Sequence, residues 1–132
     1  MLRIPTSLPD ELERLVHNTI GCCIQVHRVL GPGLLEQIYV KAICLELDAS
    51  GIAFEREKSF PVFYRGHLLC QQRVDLVVGR RLVIEIKAVE HLHPVHHAQA
   101  MSYLRVSGLK LALLMNFNAA ILQDGLKRIV LT

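Results

Sequence analysis

No apolar run in this sequence approaches the ~18 residues that a membrane-spanning helix requires, so no transmembrane segment is expected. The opening, MLRIPTSLPDELERL, has acids and prolines where a signal peptide would carry an unbroken apolar core. That argues against export and places the chain in the cytoplasm. The 4 cysteines, Cys22, Cys23, Cys44 and Cys70, include no C-x-x-C pair. Such spacing does not support structural zinc or an iron–sulfur cluster, and the apolar neighbours predict reduced, buried thiols. A basic tail is also missing. The net charge is only +3, and the cations, from Arg56 and Lys58 to Lys127 and Arg128, are scattered. A polyanionic partner would need a groove assembled by folding. There is no internal repeat, linker or low-complexity segment, so the 132 residues read as one domain with 1–8 as a lead-in.

What the chain does have is apolar surface. Hydrophobic residues make up 52% against 20% charged, enough for a compact core that buries roughly two thirds of the unfolded area. Ser7 as a capping hydroxyl, Pro9 in the first turn, and Asp10 and Glu11 at the positive end of the dipole predict a helix start. Apolar residues from Leu12 to Val26 recur at helical spacing to about Leu30, and Gly31-Pro32-Gly33 then stops the helix. A second amphipathic helix is predicted from about Leu34 to Ala49, ended by Gly51.

From there the pattern becomes extended. "IAFERE" and "FPVFYRG" read as strands, the latter turning at Arg65-Gly66-His67. "LLCQQRVDLVV" and "RLVIEIKAV" follow as a pair joined by a tight hairpin at Gly79-Arg80. Pro94 opens a helix over Val95 to Val106, closed by Gly108. "LKLALLMNF" reads as a central strand covered on both faces, and "RIVL" as a last short strand. The order α-α-β-β-β-β-α-β-β predicts an α/β fold, a mixed central β-sheet flanked by α-helices.

The informative anomaly is "VIEIKAV". Leu82, Ile84, Ile86 and Ala88 share one strand face, so Glu85 and Lys87 share the other with Val83 and Val89. If Gly79-Arg80 closes a hairpin, Asp75 faces Glu85 across an antiparallel pair. Two opposed carboxylates repel, and burial makes each charge costlier. A hard divalent cation resolves both problems, because Mg²⁺ favours oxygen ligands and keeps several waters. Lys87 could then meet a phosphate or help activate a water. The bland alternative is a cross-strand ion-pair ladder on a wet sheet face, against which the flanking aliphatics argue for burial.

Asp75 followed by Glu85-Ile86-Lys87 resembles the signature of the PD-(D/E)XK nuclease superfamily. "GLLEQIY", with Gly33, Glu36 and Tyr39, resembles the motif of the GxxExxY family within it, and "VHRVLGPG" and "FERE" resemble that family's usual surroundings. Gln99 and Tyr103 in "HHAQAMSYL" are similar to the glutamine–tyrosine helix motif of the exonuclease-like branch. The resemblance runs from about Leu12 to Leu131 and implies a restriction-endonuclease-like core with a Mg²⁺- or Mn²⁺-dependent centre. It also implies roles: Asp75 and Glu85 as main metal ligands, Glu36 as an additional acidic ligand, the Ile86 carbonyl as a further one, and Lys87 as the catalytic lysine. Gln99, Tyr103 and His96 would support the site or touch the nucleic-acid backbone. Two departures stand out: His97 where an acid is expected before Ala98, and Val74-Asp75 in place of Pro-Asp.

Bland readings remain beside these. Tyr39 reads as a half-buried packing residue with a bonded hydroxyl. His27 precedes the Gly-Pro-Gly turn, where an imidazole can bond the last helical carbonyls. A zinc site from His91, His93, His96 and His97 is disfavoured, because Pro94 keeps His93 off the helix. The expected function is hydrolysis of phosphodiester bonds in DNA, exonucleolytic or on single strands. The alternatives are a catalytically silent nucleic-acid-binding module and a subunit acting beside an accessory protein, and a homodimer would suit cleavage of both strands of a duplex.

Overall fold

The computed structural model describes residues 8–131. Helix α1 (Asp10–Leu30) starts directly after Pro9, which stands before the first turn rather than in it, with Asp10, Glu11 and Glu13 at the helix's positive end. The expected cap, Ser7, lies outside the described residues. Gly31 ends the helix at φ 69°, its N–H donating to the His27 carbonyl at 2.8 Å. Helix α2 (Glu36–Ala49) begins later than expected, because Leu34 and Leu35 remain in the turn and Glu36 becomes the first helical residue.

Five strands form one sheet in the order β1 (Phe54–Arg56), β4 (Leu76–Val78), β5 (Leu82–Lys87), β6 (Leu111–Asn116) and β7 (Leu126–Val130). β5 and β6 run parallel, linked by helix α3 (Pro94–Ser107), and the other neighbours are antiparallel. The sheet is therefore mixed, as expected. On one face Leu82, Ile84 and Ile86 pack with Val16, Cys23, Val26, Ile43 and Leu47 of α1 and α2. On the other, Val77, Val83, Ala112 and Leu114 meet Ala100, Tyr103 and Leu104 of α3. A fully buried aliphatic side chain contributes about 1.5–3 kcal/mol, so this two-sided core fixes the faces of β5. All six residues of β6 are buried, which is why its sequence lacks alternation. No helix among the described residues is long and apolar enough to cross a membrane.

Two expectations need correction. "LLCQQRVDLVV" is not one strand. Its first part, β3 (His67–Arg73), pairs with β2 (Ser59–Tyr64) in a separate two-stranded ribbon, and only Leu76–Val78 joins the main sheet. Val74 and Asp75 form the corner between them, where Val74 N–H donates to the Lys58 carbonyl and Glu57 N–H to the Asp75 carbonyl, each at 2.9 Å. Cys70 lies on the ribbon and is exposed, whereas Cys22 and Cys23 are buried and Cys44 is half-buried. The ribbon explains the difference, since it leaves the side chains of β3 from His67 to Gln71 uncovered.

The hairpin between β4 and β5 turns through Gly79 and Arg80, both at positive φ (58° and 60°). A Cβ on Gly79 would also come within 2.7 Å of a Leu15 methyl. Gly79→Ala is therefore expected to lower stability by about 1–2 kcal/mol, mainly through the left-handed backbone. Urea unfolding with an unshifted midpoint would contradict this.

Candidate active site

The register of β4 on β5, Leu76↔Ile84 through Val78↔Leu82, places Asp75 opposite Glu85 one step beyond the last ladder pair. The two residues clasp each other through the backbone. Asp75 N–H donates to Glu85 Oε1 at 2.9 Å, and Ile86 N–H donates to Asp75 Oδ2 at 2.8 Å. Each carboxylate thus satisfies a main-chain donor on the opposite strand, where the regular ladder has ended. Glu85 is only 4% exposed, on the strand face that Val83 turns toward α3. Ile86 points the other way into the core and meets the pair only through its peptide.

Electrostatics follow from this burial. Loss of solvent raises the Asp75 pKa above the ordinary carboxylate value; the Ile86 N–H and Lys87 oppose the rise, while Glu36 and Glu57 add to it. Glu85 is pushed up to about 8, first by burial and then by the charge of Asp75, against the Asp75 N–H and Lys87. Tyr103 is raised to about 12 by burial and then by Glu85 and Asp75, which places its phenol beside the pair. Lys87 stands two residues beyond Glu85 on the same strand face, half-buried and forming no ion pair among the described residues. Two side-by-side carboxylates short of counter-charge suit a hard divalent cation. Such an ion needs only one or two protein carboxylates, with waters and phosphate oxygens completing its shell.

The structure does not gather all the expected ligands. Among the described residues no three His, Cys, Asp or Glu side chains cluster closely enough to hold a metal. Glu36, half-buried at the start of α2, is near enough to raise both carboxylates but is not assembled with them into a ligand set. Gln99 is exposed on α3, one turn before Tyr103. His96 is committed to its own helix: its Nδ1 accepts the His93 N–H at 3.0 Å, so Nε2 is the nitrogen left to face a ligand. α3 begins at Pro94 and leaves His93 outside it.

Tyr39 is fully buried rather than half-buried. Its hydroxyl donates to the Gly31 carbonyl at 2.6 Å and accepts the Leu34 N–H at 3.0 Å, and its ring packs 4.6 Å from that of Phe117. It therefore braces the turn that delivers Glu36. His27 does not bond its own helix end; its Nε2 lies 2.8 Å from the Ala119 carbonyl across the fold, because Phe117 and Ala119 pack over that end of α1.

Sequence reasoning missed Asn116. It is buried beside Lys87 in the β5–β6 register, accepts the Val89 and Asn118 N–H groups and donates to the Val89 carbonyl at 2.9 Å. It fixes the chain just after Lys87. The available signal was one amide closing the apolar run "LALLMNF".

A sequence model of the PD-(D/E)XK nuclease superfamily matches residues 13–129. Comparison with curated proteins returns no match. Among solved structures, the chain is similar to an alkaline exonuclease from Laribacter hongkongensis, with TM-score 0.51 and 12% identity over 97% of this chain and 73% of that one. At that identity the likeness concerns the fold.

Two outcomes test the site. Glu85 keeps its proton when folded up to about 8 but releases it in the ordinary carboxylate range when unfolded. The metal-free folded state therefore binds more protons in that window, and its stability falls as pH rises from the ordinary range through about 8. Glu85→Gln should flatten this slope in thermal melts, and Mn²⁺ should raise the melting temperature of the parent more at the alkaline end; a slope that Glu85→Gln leaves unchanged assigns the dependence elsewhere. Tyr39→Phe unpairs the Gly31 carbonyl and the Leu34 N–H and should cost roughly 1–3 kcal/mol in denaturant unfolding. A stability equal to the parent's would contradict the bracing role.

Proposed function

Because this chain belongs to the PD-(D/E)XK nuclease superfamily, we propose that it is a divalent-metal-dependent nuclease hydrolysing phosphodiester bonds in DNA. The observation that carries this reading is the Asp75–Glu85 clasp, a half-buried and a buried carboxylate with raised pKa values at a strand end. A structural role alone would be served by Glu85 keeping a proton, whereas a divalent cation lets both carboxylates stay ionised at neutral pH.

In this reading Asp75 and Glu85 hold Mg²⁺ or Mn²⁺, with the Ile86 carbonyl as a further ligand and Glu36 adding negative charge, directly or through water. When bound, such an ion polarises the phosphoryl oxygen and acidifies a water. The protein does the rest. The clasp holds both carboxylates rigid, so they need little reorganisation as charge develops. Lys87, free of any ion pair among the described residues, presents its ammonium to the phosphate from the same strand face. Tyr103, protonated well above neutral pH, offers a phenol O–H beside the carboxylates, and Gln99 and His96 Nε2 face the nucleic-acid backbone from α3. Hydrolysis breaks one P–O bond, water supplying the new oxygen and the proton for the departing one. The similar solved structure is an exonuclease, which favours attack from strand ends. The narrower kinship with the GxxExxY family rests on Gly33, Glu36 and Tyr39.

Purified protein should cleave labelled DNA with Mg²⁺ or Mn²⁺ and stop on chelation. Glu85→Ala and Lys87→Ala should each lower the rate by about 100-fold or more. Cleavage surviving both substitutions would place the chemistry elsewhere. Salt-sensitive binding without turnover in either metal would identify a silent binding module instead.

A further inference from the structure

The β2–β3 ribbon is the part of the molecule that the proposed chemistry does not use. Its base is anchored to α3: Phe60 packs in that cluster, and Gln72 Nε2 donates to Ser102 Oγ at 3.3 Å. Its far end stands clear. Phe63 and Tyr64 are 60% and 61% exposed, and Leu68 and Leu69, across the turn, are 55% and 63% exposed. Because Phe63 pairs with Leu68 while Leu69 is the extra residue of a bulge, apolar groups emerge on both faces of the tip. The turn itself, Arg65-Gly66, has both residues at positive φ (49° and 79°), a tight two-residue reversal.

Charge narrows what could cover this tip. From Ser59 to Gln72 there is no acid; the one permanent cation is Arg65, its guanidinium 5.8 Å over the Tyr64 ring, and His67 adds a hydrogen-bonding imidazole across the turn. The acids that flank it in sequence are all at the base: Glu55 and Glu57, paired with Lys58 (2.9 Å) and Arg73 (3.9 Å), and Asp75 of the clasp. Exposed aromatic rings beside an arginine with no acid nearby match an unpaired nucleic-acid strand, whose bases stack while its phosphates need positive charge. A duplex would hide its base faces from such rings. The ribbon also leads to the carboxylates: β3 ends at Arg73, two residues before Asp75. β3 itself, from His67 to Arg73, reaches roughly 20 Å, a span of several nucleotides.

We propose that the β2–β3 tip is a single-strand platform on which Phe63 and Tyr64 stack bases and Arg65 and His67 hold the backbone, feeding a strand end toward the Asp75–Glu85 pair. This rests on the nuclease reading for what happens at that pair, but the binding itself does not require cleavage.

The test is fluorescence anisotropy of the full chain with labelled oligothymidylate and with a blunt duplex, in chelator so that nothing is cut. Phe63→Ala/Tyr64→Ala should weaken single-strand binding about tenfold or more, with little change for the duplex and an unaltered salt dependence. Arg65→Gln/His67→Gln should weaken it with a shallower salt dependence. Phe63→Leu/Tyr64→Leu keeps the apolar surface and removes stacking, so it should lose affinity like the alanine pair. Single-strand affinity unchanged in the aromatic variants overturns the proposal even if the parent cleaves DNA. Hairpin-dependent binding by a parent that never cleaves leaves the platform standing and sinks the nuclease reading. A parent that sediments as a dimer and becomes monomeric in the alanine pair, without loss of strand affinity, would make the tip a contact between copies and overturn it as well.

Discussion

Two carboxylates facing each other at the end of a hairpin, one buried and one half-buried, are the arrangement around which the rest of this structure is organised. The pair persists because each oxygen that approaches the opposite strand meets a main-chain N–H, Asp75 on one side and Ile86 on the other. Those two bonds replace ladder bonds that the sheet cannot make beyond Leu76, so structure and charge placement are one solution. The bonds lower both pKa values, yet burial and mutual repulsion outweigh them and leave both carboxylates raised. Exposure is asymmetric: Glu85 is nearly without solvent, while Asp75 at the corner is half-exposed.

Around this pair the supports come from distant parts of the chain. The turn after β6 reaches three of them: Asn116 ties down Val89, Asn118 accepts the Gly33 N–H at 3.0 Å, and the Ala119 carbonyl meets His27. Gly125 lies against the same turn, where a Cβ would approach the Asn116 carbonyl to 2.8 Å. One short turn therefore registers the end of β5, the end of α1 and the start of α2. Lys87 and Glu36 are thereby positioned by the same few residues, although they lie 51 positions apart in sequence.

Much of this was legible in the residues. Period-two alternation put Glu85 and Lys87 on one face of an otherwise aliphatic strand, and Gly79-Arg80 announced the hairpin that sets Asp75 opposite. Helix ends were marked by Gly31, Gly51 and Gly108. The break at Val74-Asp75 was not legible, because nothing in "QQRVDLVV" distinguishes a strand that continues from one that changes sheets. That choice is made by long-range pairing to β2 and β1. The partner of His27 was hidden for the same reason, since Ala119 is 92 positions away; the Tyr39 partners, Gly31 and Leu34, are close in sequence but are backbone groups, which leave no mark in a sequence.

The corner at Val74-Asp75 has a consequence for how such a protein could diverge. Lys58 and Val74 are joined by a single main-chain hydrogen bond, so the ribbon leaves and re-enters the body through one narrow gate. Residues at the tip, beyond the Phe60 and Gln72 contacts with α3, can be inserted, deleted or recomposed without shifting the strand floor, since the entry and exit points stay fixed relative to one another. In the proposed reading, strand capture and bond breaking are thus encoded in separable segments, and descent could retune the first while the second is held constant.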